Sequence, residues 1–169
     1  GARPGMSPPA PHKDTAAIRQ SLVVFAKNKA RLSAFYRETL GLTLVEEESS
    51  HDLLQGPGIE IVIHGIPRQY AMAIGIAEPP VLREASAMKP VFVVDDLARV
   101  RAAAEAAGGG LKPLAGAWQI RGATVLDGHD PEGNVLSTPA PRTAPAARQS
   151  GRPRSRPAPA PRPRSRRTA

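Results

Sequence analysis

An internal repeat constrains this 169-residue chain more than any other feature of it. Residues 21–45 read SLVVFAKNKARLSAFYRETLGLTLV and residues 89–113 read KPVFVVDDLARVRAAAEAAGGGLKP, which align without a gap at an offset of 68 residues. After its first residue, each copy has five apolar positions. Each then passes through a polar pair, Lys27-Asn28 or Asp95-Asp96, into a helical pattern that carries Ala-Arg at the same place, Ala30-Arg31 and Ala98-Arg99. Both helical patterns stop at glycine, Gly41 in the first copy and Gly108 to Gly110 in the second, where left-handed backbone costs least. A strand, a hinge, a three-turn helix and a glycine stop, used twice, predict a duplicated supersecondary module.

The formal charge of +8 points toward nucleic acid or an anionic surface until its distribution is considered. Residues 139–169 hold nine arginines, no lysine and no acid, which leaves fourteen basic side chains against fifteen acidic ones in residues 1–138. The folded part is therefore close to neutral, and the basic character belongs to a Pro/Arg/Ala/Ser tail. With no large apolar side chain to offset the entropy of ordering its backbone, the tail is expected to be disordered, with polyproline character in residues 157–164. Residues 1–17 likewise lack a core pattern. The absence of a leading Met suggests a trimmed, tagged or fragmentary start, with Met6 a candidate native one.

No apolar run has the length of a membrane span and no signal-peptide order is visible. No cysteine is present, which excludes disulfides and thiolate metal sites and fits a reducing compartment. A cytoplasmic location is expected. Residues 18–138 remain for one domain, long enough to bury a core.

Within that domain, residues 21–26 are expected as a strand and 29–40 as a helix with Leu32, Phe35, Tyr36 and Leu40 on one face. Residues 43–48 and 51–54 read as a hairpin about Ser49-Ser50. Alternation in residues 59–64 puts Ile59, Ile61 and Ile63 on one face and Glu60, Val62 and His64 on the other. Residues 65–88 read as a connector whose apolar centre, 71–77, is a candidate extra strand. The second half repeats the order, with strand 91–94, helix 97–107, strands near 116–120 and 123–127, and a last strand 135–138. The run Asp130-Pro131-Glu132-Gly133-Asn134 predicts a turn before that strand, and Phe35 and Tyr36 are assigned to the core.

The doubled β-α-β-β-β order, with Ala34-Phe35-Tyr36 and Leu40-Gly41-Leu42 closing the first helix and the Asp130 to Asn134 run before the last strand, resembles the vicinal oxygen chelate superfamily. That group holds glyoxalase I, bleomycin-resistance proteins and extradiol dioxygenases. The resemblance covers residues 22–138. It implies an α+β fold of two tandem βαβββ modules, about 18–66 and 88–138, forming a curved mixed sheet around a cavity, with a homodimer as the expected assembly.

Catalytic members of the superfamily hold a divalent metal with residues from the first and last strand of each module. Carried over, those positions fall on Ser21 and Lys89 in the first strands, on Ser137 in the last strand of the second module, and on Glu60, or Val62 if the strand is shifted, in the first. A serine hydroxyl is a poor donor to a divalent ion and an ammonium offers no lone pair, so the usual metal site is expected to be absent. Three readings of the cavity stay open. In the first, Lys89 and Glu60 face each other and bind a small anionic or polar ligand without metal, with Ser21, Ser137 and an apolar wall including Trp118. In the second, His51, Glu60, His64 or His129 rebuild a displaced divalent-metal site, as in a divergent lyase or dioxygenase. In the third, Glu60 and His64 act as a metal-free acid/base pair, since positions i and i+4 of a strand share a face. The arginine tail adds a separate candidate role, weak and salt-sensitive binding to nucleic acid or an acidic partner.

Overall fold

The computed structural model describes residues 20–142. The expected disorder of 1–17, and that of the tail beyond Arg142, fall outside the described residues. The first module runs β1 (Gln20–Ala26), α1 (Lys29–Leu40), β2 (Thr43–Glu47), β3 (His51–Gly56) and β4 (Ile59–Gly65). Its strands form a sheet in the order β1-β4-β3-β2, with β1 parallel to β4 and the other pairs antiparallel.

After a connector that contains the short helix α2 (Arg68–Ala71), the second module carries α3 (Leu97–Ala106), β5 (Gly110–Leu111), β6 (Trp118–Ile120), β7 (Ala123–His129) and β8 (Val135–Pro141). Residues 91–94 run parallel to β8. Phe92 N–H donates to the Ser137 carbonyl and Val94 N–H to that of Pro139, both at 2.9 Å. β8 pairs β7 along its length, and β5 and β6 both pair the other edge of β7. The strand order of the first module is thus reproduced, with β5 and β6 as two pieces of one interrupted strand.

The repeat seen in the sequence extends to the helix caps. The Asn28 side chain accepts from Arg31 N–H and the Asp96 side chain from Arg99 N–H, both at 3.1 Å, so each polar pair supplies an N-cap. At the other ends Gly41 (φ 68°) and Gly108 (φ 87°) are left-handed. Leu42 N–H then returns to the Arg37 carbonyl and Gly109 N–H to that of Ala104, which satisfies carbonyls the helix leaves open.

The two helices pack on each other and bury one shared core. Leu32, Phe35 and Tyr36 of α1 meet Val100 and Ala104 of α3 above Leu54, Ile61, Ile63, Leu126 and Leu136 of the sheets. Phe35 and Tyr36 are core residues as expected, in edge contact with ring centres 5.0 Å apart.

Several boundaries differ from expectation. Residues 71–77 form no strand: the chain makes one helical turn at Arg68–Ala71 and continues irregularly. Leu114–Gly116 is a 3-10 turn, so β6 begins only at Trp118. β5 is too short to leave a periodic signal. β8 extends to Pro141, beyond the expected stop at 138, since β7 offers partners that far.

The Asp130 to Asn134 segment is a turn, and it also joins the modules. Glu132 reaches across to the start of α1, where its two carboxylate oxygens accept from Lys27 N–H (2.9 Å) and Asn28 N–H (3.0 Å). Those are amides the helix cannot satisfy itself, and an anion there also suits the helix dipole. Asp130, fully buried, accepts from the Tyr36 hydroxyl (2.8 Å), from Asn134 Nδ2 (2.7 Å) and from the Glu132 and Asn134 amides. Burial pushes the Asp130 carboxyl above its ordinary pKa, against these hydrogen bonds; burial and the Asp130 charge also raise the Tyr36 hydroxyl well above its own.

Candidate functional site

The open faces of the two sheets, opposite the helices, carry the residues singled out in the sequence. On the first sheet Ser21, Val23 and Phe25 of β1 alternate outward, beside Glu60, Val62 and His64 of β4. In the second module Lys89, Val91 and Val93 hold the equivalent places. Val23, Phe25, Val91 and Val93 are all more than half exposed, so an apolar band separates two polar clusters.

In the first cluster Glu60 is held by Ser21 Oγ at 3.3 Å and by Gln55 Nε2 at 3.1 Å. Ser21 and Glu60 are directly paired across β1 and β4, which fixes this contact through the strand register. The second cluster is built around a carboxylate the sequence did not single out. Asp127, on β7, accepts from Lys89 Nζ (3.2 Å), from Trp118 Nε1 (3.2 Å) and from Ser137 Oγ. Burial alone would push the Asp127 carboxyl up. The hydrogen bonds from Ser137 and Lys89, the Lys89 charge and the Trp118 N–H outweigh it and hold the group below the usual carboxylate range.

The signal that finds Asp127 is tertiary, because its three donors come from 38, 9 and 10 residues away in sequence.

Lys89 therefore does not pair with Glu60. Its ammonium is committed to Asp127, and among the described residues no hydrogen bond or ion pair links Lys89 to Glu60. The five residues expected in one site fall into two clusters, Lys89, Ser137 and Trp118 around Asp127 and Ser21 with Glu60. Glu60 and His64 lie on one face of β4 but are four residues apart, about 13 Å at strand rise, too far for one small substrate to touch both. His129 lies in the second module, where its Nδ1 meets the Asp130 carbonyl at 2.9 Å, remote from His51 and His64.

The metal positions implied by the superfamily can be tested on the chemistry of these donors. Of the four, Lys89 is a cation bound to a carboxylate, Ser137 donates its hydroxyl proton to that same carboxylate, and Ser21 donates to Glu60. Only Glu60 offers a ligand of the right kind, so these residues do not fit the superfamily's metal. Beside Asp127 lies a cavity of about 370 Å³ whose lining includes Leu82, Glu84, Lys89, Lys112, Asp127 and His129. The lining carries charges of both signs, Lys89 and Lys112 against Glu84 and Asp127, and suits a ligand with a polar end.

No family model and no curated protein matches this sequence. Solved structures do. A glyoxalase/bleomycin resistance protein/dioxygenase family enzyme from Burkholderia phytofirmans superposes with a TM-score of 0.53 at 19% identity, covering 71% of this chain and 95% of its own. A genomically encoded fosfomycin resistance protein from Listeria monocytogenes gives 0.53 at 13% identity, covering 73% and 92%. A bleomycin resistance determinant encoded on a transposon gives 0.50 at 18%, covering 75% and 99%. The chain has the fold of these glyoxalase/bleomycin resistance structures. It is an α+β fold of two βαβββ modules, and at these identities the likeness defines the architecture alone.

Proposed function

We propose that this chain binds a small molecule with an anionic or polar end, without a metal at the superfamily positions, in the cavity of the second module. The observation that carries the reading is that Lys89 and Asp127, paired at 3.2 Å, line that cavity beside Lys112, while Ser137 and Trp118 donate to Asp127 from outside its lining. In the free protein Asp127 occupies the Lys89 ammonium that a polar ligand can share, and Leu82, Leu111 and Val135 supply apolar surface in the same cavity. Solved structures of the same fold include a bleomycin resistance determinant and a fosfomycin resistance protein, which supports a small-molecule ligand. A homodimer covering the apolar band of Val23, Phe25, Val91 and Val93 belongs to this reading, as does a cytoplasmic location, which the lack of cysteine supports. Among the described residues no helix is long and apolar enough to cross a membrane.

Trp118 is the chain's single tryptophan, so its fluorescence reports directly on the site. Titration with a panel of small aromatic and aliphatic carboxylates and phosphonates is expected to give a saturable change that Lys89→Ala weakens at least tenfold. A panel with no saturable response, or binding that Lys89→Ala leaves intact, would overturn the reading.

The nine arginines of residues 139–169, unaccompanied by any acid, favour a second and separable role in retaining nucleic acid through phosphate contacts. Truncation after Arg142 is expected to abolish retention on immobilised DNA at low salt and to leave the Trp118 response unchanged. Retention that survives truncation would dismiss that role.

A further inference from the structure

We infer that the open face of the first sheet, at the end away from Ser21, is a binding site for a borderline divalent cation such as Zn²⁺ or Ni²⁺, held by His51, His64 and Glu46. His51 and His64 sit directly opposite each other on β3 and β4. Their rings are nearly parallel, 13° apart, with centres 6.4 Å from each other. Two imidazoles that share one ion at about 2.1 Å have ring centres roughly 5–6 Å apart, so ligation requires the two rings to approach and to turn their in-plane lone pairs toward one point.

The partners of the rings are those of ligating histidines. His64 Nδ1 meets the Gly65 carbonyl at 3.1 Å; a carbonyl only accepts, so Nδ1 carries the proton and Nε2 keeps its lone pair. Metal-binding histidines are oriented in this way by a backbone carbonyl on the other ring nitrogen. The edge of Phe25 packs against the His64 ring with centres 5.7 Å apart and limits its swing. His51 Nε2 stands 3.0 Å from Glu46 Oε1, and its Nδ1 stands 2.9 Å from Ser50 Oγ. A cation placed between Nε2 and the carboxylate takes over the position of the proton they share. The Ser50 hydroxyl, able to accept as well as donate, then receives that proton on Nδ1, so the imidazole stays neutral.

Strand geometry supplies an independent argument. β2 and β3 pair Leu44 with Leu54 and then Glu46 with Leu53, an irregularity that places one extra residue, Val45, in β2. In unbroken register Glu46 would oppose Asp52 and share its core-facing side. The bulge turns Glu46 onto the open face with Leu53 and His51, and re-aiming a side chain is a recurrent use of bulges next to functional sites. Among the described residues no three ligating groups stand around one point, and binding requires His51, His64 and Glu46 to converge. The site is distinct from the superfamily positions, since Glu60 lies about 13 Å along β4 from His64.

The test is a titration of the full chain, stripped with chelator and dialysed, against zinc chloride, followed by calorimetry and by the imidazole NMR resonances of the histidines. One equivalent of Zn²⁺ is expected to bind and to move the His51 and His64 resonances before that of His129. His51→Gln and His64→Gln should each weaken binding at least tenfold, and Glu46→Gln by less; His12→Gln and His129→Gln should leave it unchanged. Absence of saturable binding would overturn the inference. So would binding that moves the resonances of His12 or His129 and not those of the pair, a result read on the unmutated chain and independent of whether any variant folds.

Discussion

Three buried or half-buried carboxylates, Asp127, Asp130 and Glu132, do different work, and protonation separates two of them. Asp127 is held below the ordinary carboxylate range, so its hydrogen-bonded cluster stabilises the fold above the unfolded pKa of about 3.9 and loses that contribution as pH falls through the lowered folded value. Asp130 has the opposite sign. Its folded pKa is raised, the native state binds the proton more tightly, and stability falls as pH rises from about 3.9 through the folded value. In urea unfolding measured from pH 3 to 6, Asp127→Asn should therefore show a shallower loss of stability at the acid end than the unmutated chain. A Trp118 emission step with a midpoint below the usual aspartate range should vanish in the same variant. Glu132 satisfies two backbone amides at once, and charged hydrogen bonds of this kind are worth about 1.5–3 kcal/mol each. Glu132→Ala is expected to cost at least about 2 kcal/mol in chemical denaturation; a loss below about 0.5 kcal/mol would show that water replaces the carboxylate freely.

At the scale of elements, the two helices were legible because their ends are written in local chemistry. Asn28 and Asp96 are N-caps and Gly41 and Gly108 are left-handed stops, and each needs only its own neighbours to act. The strands at 51–56 and 59–65 have one buried face that imposes alternation, and the strand at 43–47 was legible through the Ser49-Ser50 turn that pairs it with its neighbour. β5 was not, because it exists only where Gly110 and Leu111 meet the end of β7. That meeting depends on glycine. A Cβ on Gly109 would lie 2.4 Å from the Phe35 ring and 2.5 Å from the His129 carbonyl, whereas one on Gly116 meets nothing within 4 Å. Gly109→Ala should destabilise by about 1–3 kcal/mol or more through overpacking, and Gly116→Ala by no more than about 0.5 kcal/mol, as read from thermal or urea melts. Equal effects at the two positions would mean that the α3–β5 joint relaxes around the added methyl.

At the scale of the whole molecule, the modules are joined by one core, by the Glu132 cap and by the connector. Arg31 holds the connector through Glu78 in a two-pronged ion pair (3.1 and 2.8 Å), and Arg83 N–H donates to the Gly133 carbonyl at 2.9 Å. What this leaves uncovered is the apolar band on the open faces, where Phe25 is 64% and Val93 73% exposed. Light scattering on the full chain should give the mass of a dimer. Phe25→Glu combined with Val93→Glu should give a monomer with an unchanged far-ultraviolet spectrum; a monomeric parent chain would leave the band to another occupant.

The sequence by itself determined the duplication, the positions of the helices and most strands, the core face of α1 and the neutrality of the folded part against the basic tail. Each of these is a local pattern, or a pattern set by one buried face, and a linear text records it in full. It also placed Ser21, Lys89 and Ser137 where the superfamily resemblance implies metal ligands, a replacement visible residue by residue. Only the tertiary structure decided which charges meet. Lys89 turned to Asp127 rather than Glu60, Glu132 crossed from one module to cap the other, and a bulge of one residue at Val45 brought Glu46 beside His51. Those pairings depend on strand register and on the packing of α1 against α3, and no spacing along the chain encodes them. The physical reason is that side-chain chemistry is local while the distances that give it partners are set by the whole fold.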